Sequence, residues 1–306
     1  DIGGTKIAGG VVDADGNILQ SDRRGTPSRS AEALEAVVVD LVNEYKSEYE
    51  ISSVGIGFAG FIDELRSRVL IAPNLGWKDE PLKLAIESKV GLPVVVENDA
   101  NAPAWGEYKF GGIKLPKDMV CVTVGTGIGG GLVFDGALFR GAHGVAAEFG
   151  HMNVEPGGRL CACGNRGCWE QYASGNALVR EARLLAAERR NEAQILLDLG
   201  DGTPEGVQGQ HVTIAARKGD PVALAAFDSL ARWLGQGIAD LTSLLDPGCF
   251  VIGGGVSEAG DFLLGATRRA FMASLSGREM RPLPEIRLAV LGNKAGLVGA
   301  ADLSRH

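Results

Sequence analysis

Three cysteines and a histidine form the densest chemical cluster of this chain: His151, Cys161, Cys163 and Cys168. Three thiolates with one imidazole make the donor set of a closed tetrahedral zinc site. In Cys161-Ala162-Cys163-Gly164-Asn165-Arg166-Gly167-Cys168, the glycines permit the tight turns that bring the thiolates to one ion. Unpaired buried cysteines beside an unrelated histidine are the alternative, and the C-x-C-x4-C spacing weighs against it. A closed set leaves no position for substrate, so the expected role is structural. Glu148 and Glu170 flank the cluster. Paired carboxylates suit several sugar hydroxyls, although exposed glutamates are usually just solvated. His151 could give one ring nitrogen to zinc and the other N–H to a hydroxyl, because metal binding fixes the tautomer.

A second candidate is Asn98-Asp99, which follows the strand-like run Val94-Val95-Val96-Glu97. A strand that delivers a carboxylate into a cleft can position a general base, provided the carboxylate reaches within about 3 Å of its proton. The same pair also suits a helix N-cap, and one residue could cap while the other does chemistry. Asn74, in Pro73-Asn74-Leu75-Gly76-Trp77, could face the same cleft; turn chemistry explains it equally well.

Phosphate chemistry is suggested by a glycine pattern that occurs twice. Gly3-Gly4-Thr5-Lys6 precedes Ile7–Val12 and an Asp15-Gly16 turn; Gly125-Thr126-Gly127 precedes an apolar run and an Asp135-Gly136 turn. Each copy reads as a β-hairpin with a Gly-Thr loop at its open end, where backbone N–H groups can hold an anion. Two matching loops suggest two half-domains gripping one polyphosphate, with Asp1 placed to hold its metal. A third glycine run, Gly253-Gly254-Gly255, follows an apolar strand and precedes a helix. That arrangement serves nucleotide binding or close helix–strand packing equally.

The elements that must position these residues alternate strand and helix, which gives an α/β protein with two related lobes. The expected hairpin is Ile7–Val12 with Asn17–Asp22. Helices are expected at Ala31–Glu48, Pro81–Lys89, Asn98–Tyr108, Asn176–Arg190, Val212–Lys218, Pro221–Leu245 and Asp261–Ser274, with a closing helix from Ala295. Strands are expected at Val54–Phe58, Val94–Val96, near Met119, at Cys249–Ile252 and at Ile286–Ala289. The expected domains are 1–108 plus 295–306, and 109–294, divided near Tyr108–Lys117.

The 306-residue chain carries a net charge of −8 and no basic block, which disfavours nucleic acid or anionic membrane as the main partner. No apolar run approaches the roughly 18 residues of a membrane span, and no signal peptide is visible. Five cysteines, three of them clustered, fit a reduced cytoplasmic protein with a metal site. The chain opens inside a motif at Asp1, so a few further residues are expected before it.

The opening Asp-Ile-Gly-Gly-Thr-Lys, Glu97-Asn98-Asp99-Ala100-Asn101, Val124–Gly131, Glu148-Phe149-Gly150-His151 and the Cys-x-Cys-Gly-x-x-Gly-Cys-x-Glu block together resemble the ROK family of bacterial sugar kinases across essentially the whole chain. The likeness is to its glucokinases above all. It implies an actin-like ATPase (ribonuclease H-like) duplicated fold with a cleft between two lobes. It implies ATP with Mg²⁺ and phosphoryl transfer to the C6 hydroxyl of glucose. Asp99 matches the family's base; Asn98, Glu148, His151 and Glu170 match its sugar contacts. His151, Cys161, Cys163 and Cys168 match its zinc ligands. A homodimer or homotetramer is implied as well. Kinases for N-acetylmannosamine, N-acetylglucosamine, mannose or fructose are the runners-up, and polyphosphate is an alternative donor. A sugar-responsive repressor of the same family is disfavoured, since the phosphate loop occupies the place where a DNA-binding domain is expected.

Overall fold

A hairpin opens the fold: β1 (Lys6–Val12) pairs antiparallel with β2 (Ile18–Gly25), Lys6 opposite Gly25. The Asp13 carboxylate closes the turn, accepting from the amides of Asp15 and Asn17 at 2.9 and 2.8 Å. The chain is seen here as a computed structural model that describes residues 1–27, 30–73, 75–112 and 116–306. β2 runs past the expected Asp22, and its alternating exposure continues to Gly25. Helix α1 (Ala31–Glu48) follows, capped by Ser30, and buries Leu34, Val38, Leu41, Val42 and Tyr45 at helical spacing.

Next come β3 (Val54–Phe58), β4 (Phe61–Ile62), β5 (Val69–Ala72), β6 (Trp77–Glu80), α2 (Leu82–Val90), β7 (Val94–Asn98) and α3 (Asn101–Phe110). β3 and β7 run parallel, with Phe58 opposite Asn98. The antiparallel sheet β4-β5-β6 lies between them in sequence and has no counterpart among the expected elements. Its strands are two to four residues long, and Trp77-Lys78-Asp79-Glu80 carries no apolar alternation.

β8 (Met119–Val124), β9 (Ile128–Phe134) and β10 (Ala137–Phe139) are followed by α4 (Glu170–Ala173), α5 (Gly175–Glu188), α6 (Gln194–Asp198), α7 (Gly209–Arg217) and α8 (Pro221–Leu245). Then come β11 (Cys249–Gly253), α9 (Asp261–Ser274), β12 (Glu285–Leu288) and α10 (Ala295–Leu303). The fold is α/β. It divides into two units: Asp1–Val120 with Gly130–Ala147 and Val290–His306, and Cys121–Gly129 with Glu148–Ala289. No helix among the described residues is long and apolar enough to cross a membrane.

In the first unit, α10 packs on α3 and β3. The approach is so close that a Cβ on Gly299 or Gly55 would overlap the carbonyl of Ala102 or Ala300. Trp105 donates to Asp302 at 2.8 Å, and Glu107 accepts from the amides of Val290 and Leu291. In the second unit, β11 pairs parallel with β12, and α8 packs against α4, α5, α7 and α9. Asp220 caps α8, with Pro221 at the first turn, where its missing N–H costs nothing.

Candidate active site and metal knuckle

In the first unit, two segments leave the sheet side by side. Ile2 bridges Phe58 in parallel on one edge of β3, and Asn98 pairs with Phe58 on the other. The loop Asp1–Lys6 and the turn Asn98–Asp99 therefore emerge at the carboxyl end of the same strand. The glycine loop is closed internally: the Gly3 amide donates to Lys6 O at 3.0 Å, and Thr26 Oγ1 donates to Gly3 O at 2.7 Å. Gly4, Thr5 and Lys6 remain exposed.

Helix α3 begins at Asn101, later than the expected Asn98, because Asn98 builds the turn ahead of it. Its Oδ1 accepts from the amides of Ala100 and Asn101 at 2.8 and 3.1 Å, and its Nδ2 donates to Gly60 O at 3.1 Å. Asn98 thus builds the turn ahead of the helix, whose own N-cap position is Ala100. Asp99 is exposed and fixed through its amide, which donates to Phe58 O at 3.0 Å. Asn74 lies outside the described residues.

Beneath this turn lies a charged network that sequence reading missed. Glu97 is 1% exposed. Its Oε1 accepts from the Asn98 amide at 2.9 Å and from Asn101 Nδ2 at 3.0 Å. Its Oε2 meets Arg140 Nε at 2.9 Å and Arg66 Nε at 3.2 Å. A glutamate ending an all-valine run was the one available hint; Arg140 and Arg66 carried none.

The second glycine loop is also closed internally, over a shorter span: the Gly125 amide donates to Gly127 O at 3.0 Å, and a hairpin follows. The second hairpin turns at Asp135 and Gly136, both with positive φ. Thr126 is exposed, and Gly125 O accepts from the first amide of α5 at 2.7 Å. Gly127 faces Glu170 so closely that a Cβ there would overlap the carboxylate. Glycine loop and glutamate are therefore neighbours. In the third glycine run, Gly254 has φ 82° and sits against β8 at Val124, so packing requires it; the space at Gly255 is open.

His151, Cys161, Cys163 and Cys168 bring one ligand atom each to within 4.8 Å of one another. Cys163 and Cys168 Sγ are 3.6 Å apart, and Cys161 Sγ lies 3.7 Å from His151 Nδ1. These spacings match the edge of a tetrahedron with Zn–S near 2.3 Å, which is about 3.8 Å, and far exceed a disulfide bond of about 2.05 Å. Gly164 and Gly167 have φ of 92° and 81°, the left-handed turns expected of them. His151 turns Nδ1 toward Cys161, while Nε2 lies 4.0 Å from Glu148 Oε2. Cys161 Sγ also donates to Glu170 Oε1 at 3.0 Å. Burial, then this bond to Glu170, pushes the Cys161 thiol up to about 12. The Asn165 amide pulls the exposed Cys163 thiol down. A bound cation would let these thiols ionise beside the carboxylate, and the donor set suits zinc.

The knuckle hangs on one indole. Trp169 is fully buried, donates Nε1 to Trp233 O at 2.8 Å, and lies against Gly237 of α8, where any Cβ would overlap the ring. It stands between Cys168 and Glu170, so α8 fixes that thiol and the carboxylate together.

The family model described as "ROK family" matches residues 1–306. The chain belongs to the ROK family. A glucokinase of Streptomyces coelicolor is 54% identical over all of this chain and 96% of its own length. The crystal structure of a ROK family glucokinase from Streptomyces griseus, in complex with glucose and AMPPNP, is similar with a TM-score of 0.89. Identity there is 53%, covering 99% of this chain and 97% of that one. The xylose repressor of Bacillus subtilis is 31% identical over 99% of this chain and 75% of its own length. With this ROK membership, the α/β fold is of the actin-like ATPase type.

Proposed function

We infer that this ROK protein is an ATP-dependent glucokinase, transferring the γ-phosphoryl group of ATP to the C6 hydroxyl of glucose. The observation that carries the reading is the pairing at Phe58, where a glycine loop suited to phosphate and the Asn98–Asp99 turn emerge together. The high identity to a Streptomyces glucokinase supports it. Phosphoryl transfer asks the protein mainly for positioning and charge stabilisation. Gly3, Gly4, Thr5 and Lys6 hold phosphate in one unit; Gly125, Thr126 and Gly127, with Gly253, Gly254 and Gly255, do so in the other. Asp99 accepts the C6 hydroxyl proton as the oxygen attacks. Asn98, Glu148, His151 and Glu170 hold the sugar, with Asn74 a further contact. Magnesium bound with ATP, held near Asp1, would neutralise charge on the β- and γ-phosphates. Zinc at His151, Cys161, Cys163 and Cys168 would order the segment that presents Glu148 and Glu170. The enzyme is cytoplasmic and assembles as a homodimer or homotetramer, which sedimentation would check.

Asp99→Asn should retain glucose binding by calorimetry and lose turnover on the order of 100- to 10,000-fold. Substantial remaining turnover removes Asp99 from its role. A coupled assay over glucose, mannose, fructose, N-acetylglucosamine and N-acetylmannosamine, with ATP and then polyphosphate as donor, tests the substrates. The likeness to a xylose repressor keeps a second reading in view: a regulator would bind sugar and turn over none in that assay.

A further inference from the structure

We propose that the buried Glu97–Arg140 ion pair is the positioning device for the Asp99 carboxylate; this rests on Asp99 being the base. The argument starts from what the pair costs. Two charges at 1% and 8% side-chain exposure have lost most of their water, and replacing such a pair by apolar groups is often neutral or stabilising. Stability alone is thus a weak reason for it. Its geometry supplies a better one, because the pair gathers the segments around the Asn98–Asp99 turn at one point.

Glu97 holds the turn directly, through the Asn98 amide and the Asn101 side chain. Arg140 then spends its remaining donors on backbone: Nη1 donates to Glu64 O at 2.9 Å and Nη2 to Asp63 O at 2.8 Å. Arg66, from that same 63–66 turn, returns to Glu97 with its side chain and accepts at its own carbonyl from the Val96 amide at 3.0 Å. The loop that begins at Arg140 is seated on the turn too. A Cβ on Gly144 would lie 2.6 Å from Ile62 O. One carboxylate therefore gathers the end of β7, the 63–66 turn and, through Arg140, the start of the loop that Gly144 seats on that turn. Planar guanidinium geometry is essential, because three directions must be satisfied at once; an ammonium can keep the charge and cannot keep the fork.

Arg140→Lys is the test. The folded variant should lose kcat on the order of 100-fold, the penalty of a base displaced by about 1 Å. KM for glucose and for ATP should change little. In an Asp99→Asn background the same substitution should leave the residual turnover nearly unchanged, because it acts through Asp99. A folded Arg140→Lys enzyme with wild-type kcat overturns the proposal, and so does an equal loss of kcat in both backgrounds. If Arg140→Lys does not fold, Arg66→Lys, at a side chain 24% exposed, reads the same network by the same cycle. High turnover in Asp99→Asn alone refutes the base assignment instead, so the two failures are distinguishable.

Discussion

The Asp99 turn and the Cys-His knuckle present their functional groups by opposite means. The turn stands on a folded interior. Val94 and Val96 of β7 are buried, α3 is locked to α10, and the charges below pair with each other. Burial of the chain's own atoms therefore sets the position of Asp99. In the knuckle, Glu155 to Gly157, Arg159, Leu160 and Ala162 to Arg166 are exposed or nearly so, and the buried side chains of its core are Cys161 and Cys168 themselves. A segment with so little apolar surface to hide rests on backbone hydrogen bonds and one anchored indole, and its four donors would hold an ion that adds to them. The turn is organised by packing; the proposed zinc would organise the knuckle by coordination.

Metal removal breaks the symmetry between them most strongly. Zinc-finger peptides gain about 10–16 kcal/mol from the ion. Here the indole anchor and backbone bonds offset part of that dependence. Stripping the metal with a chelator should release one zinc per chain, change Trp169 fluorescence and weaken glucose binding severely, while the first unit keeps its fold. Protein that lacks zinc yet binds glucose normally would remove the ion from the argument.

Gly237→Ala is the milder probe of the same half. The added methyl meets the Trp169 indole in a fully packed place, at a cost of roughly 1–3 kcal/mol. Because Trp169 sits between Cys168 and Glu170, KM for glucose should rise and zinc affinity should fall together. A loss of thermal stability with both unchanged would mean that α8 supports the knuckle without aligning it.

The contrast also explains what was legible in the sequence. The knuckle, the two Gly-Thr loops and Asn98-Asp99 are written in short local spacings, since ligands and turns are local chemistry. The Glu97 network is not, because Arg66 and Arg140 come from distant segments that meet only in the folded unit. The sheet β4-β5-β6 escaped for a related reason: its strands are two to four residues long, too short for periodicity to show. Even within a recognised motif, Asn98's part as turn builder needed the hydrogen bonds to show it.

The smallest effect asks whether α8 carries stability alone when touched far from Trp169. Asp220 is 1% exposed, and its Oδ1 accepts from the amides of Val222 and Ala223, each at 3.0 Å. Its Oδ2 accepts from the Leu196 amide, also at 3.0 Å. Asp220→Ala leaves those N–H groups without their carboxylate, in a place water does not reach. The cost belongs at the upper end for an N-cap, about 2 kcal/mol. Ser30, which caps α1 in the first unit with one bond of 3.2 Å, should cost nearer 1 kcal/mol when replaced by alanine. Gly237 lies nearly five helical turns beyond Asp220, so thermal unfolding should shift while kcat and KM for glucose stay at wild-type values. If Asp220→Ala raises KM for glucose in a folded enzyme, the knuckle depends on the whole helix and its coordination by metal does not isolate it.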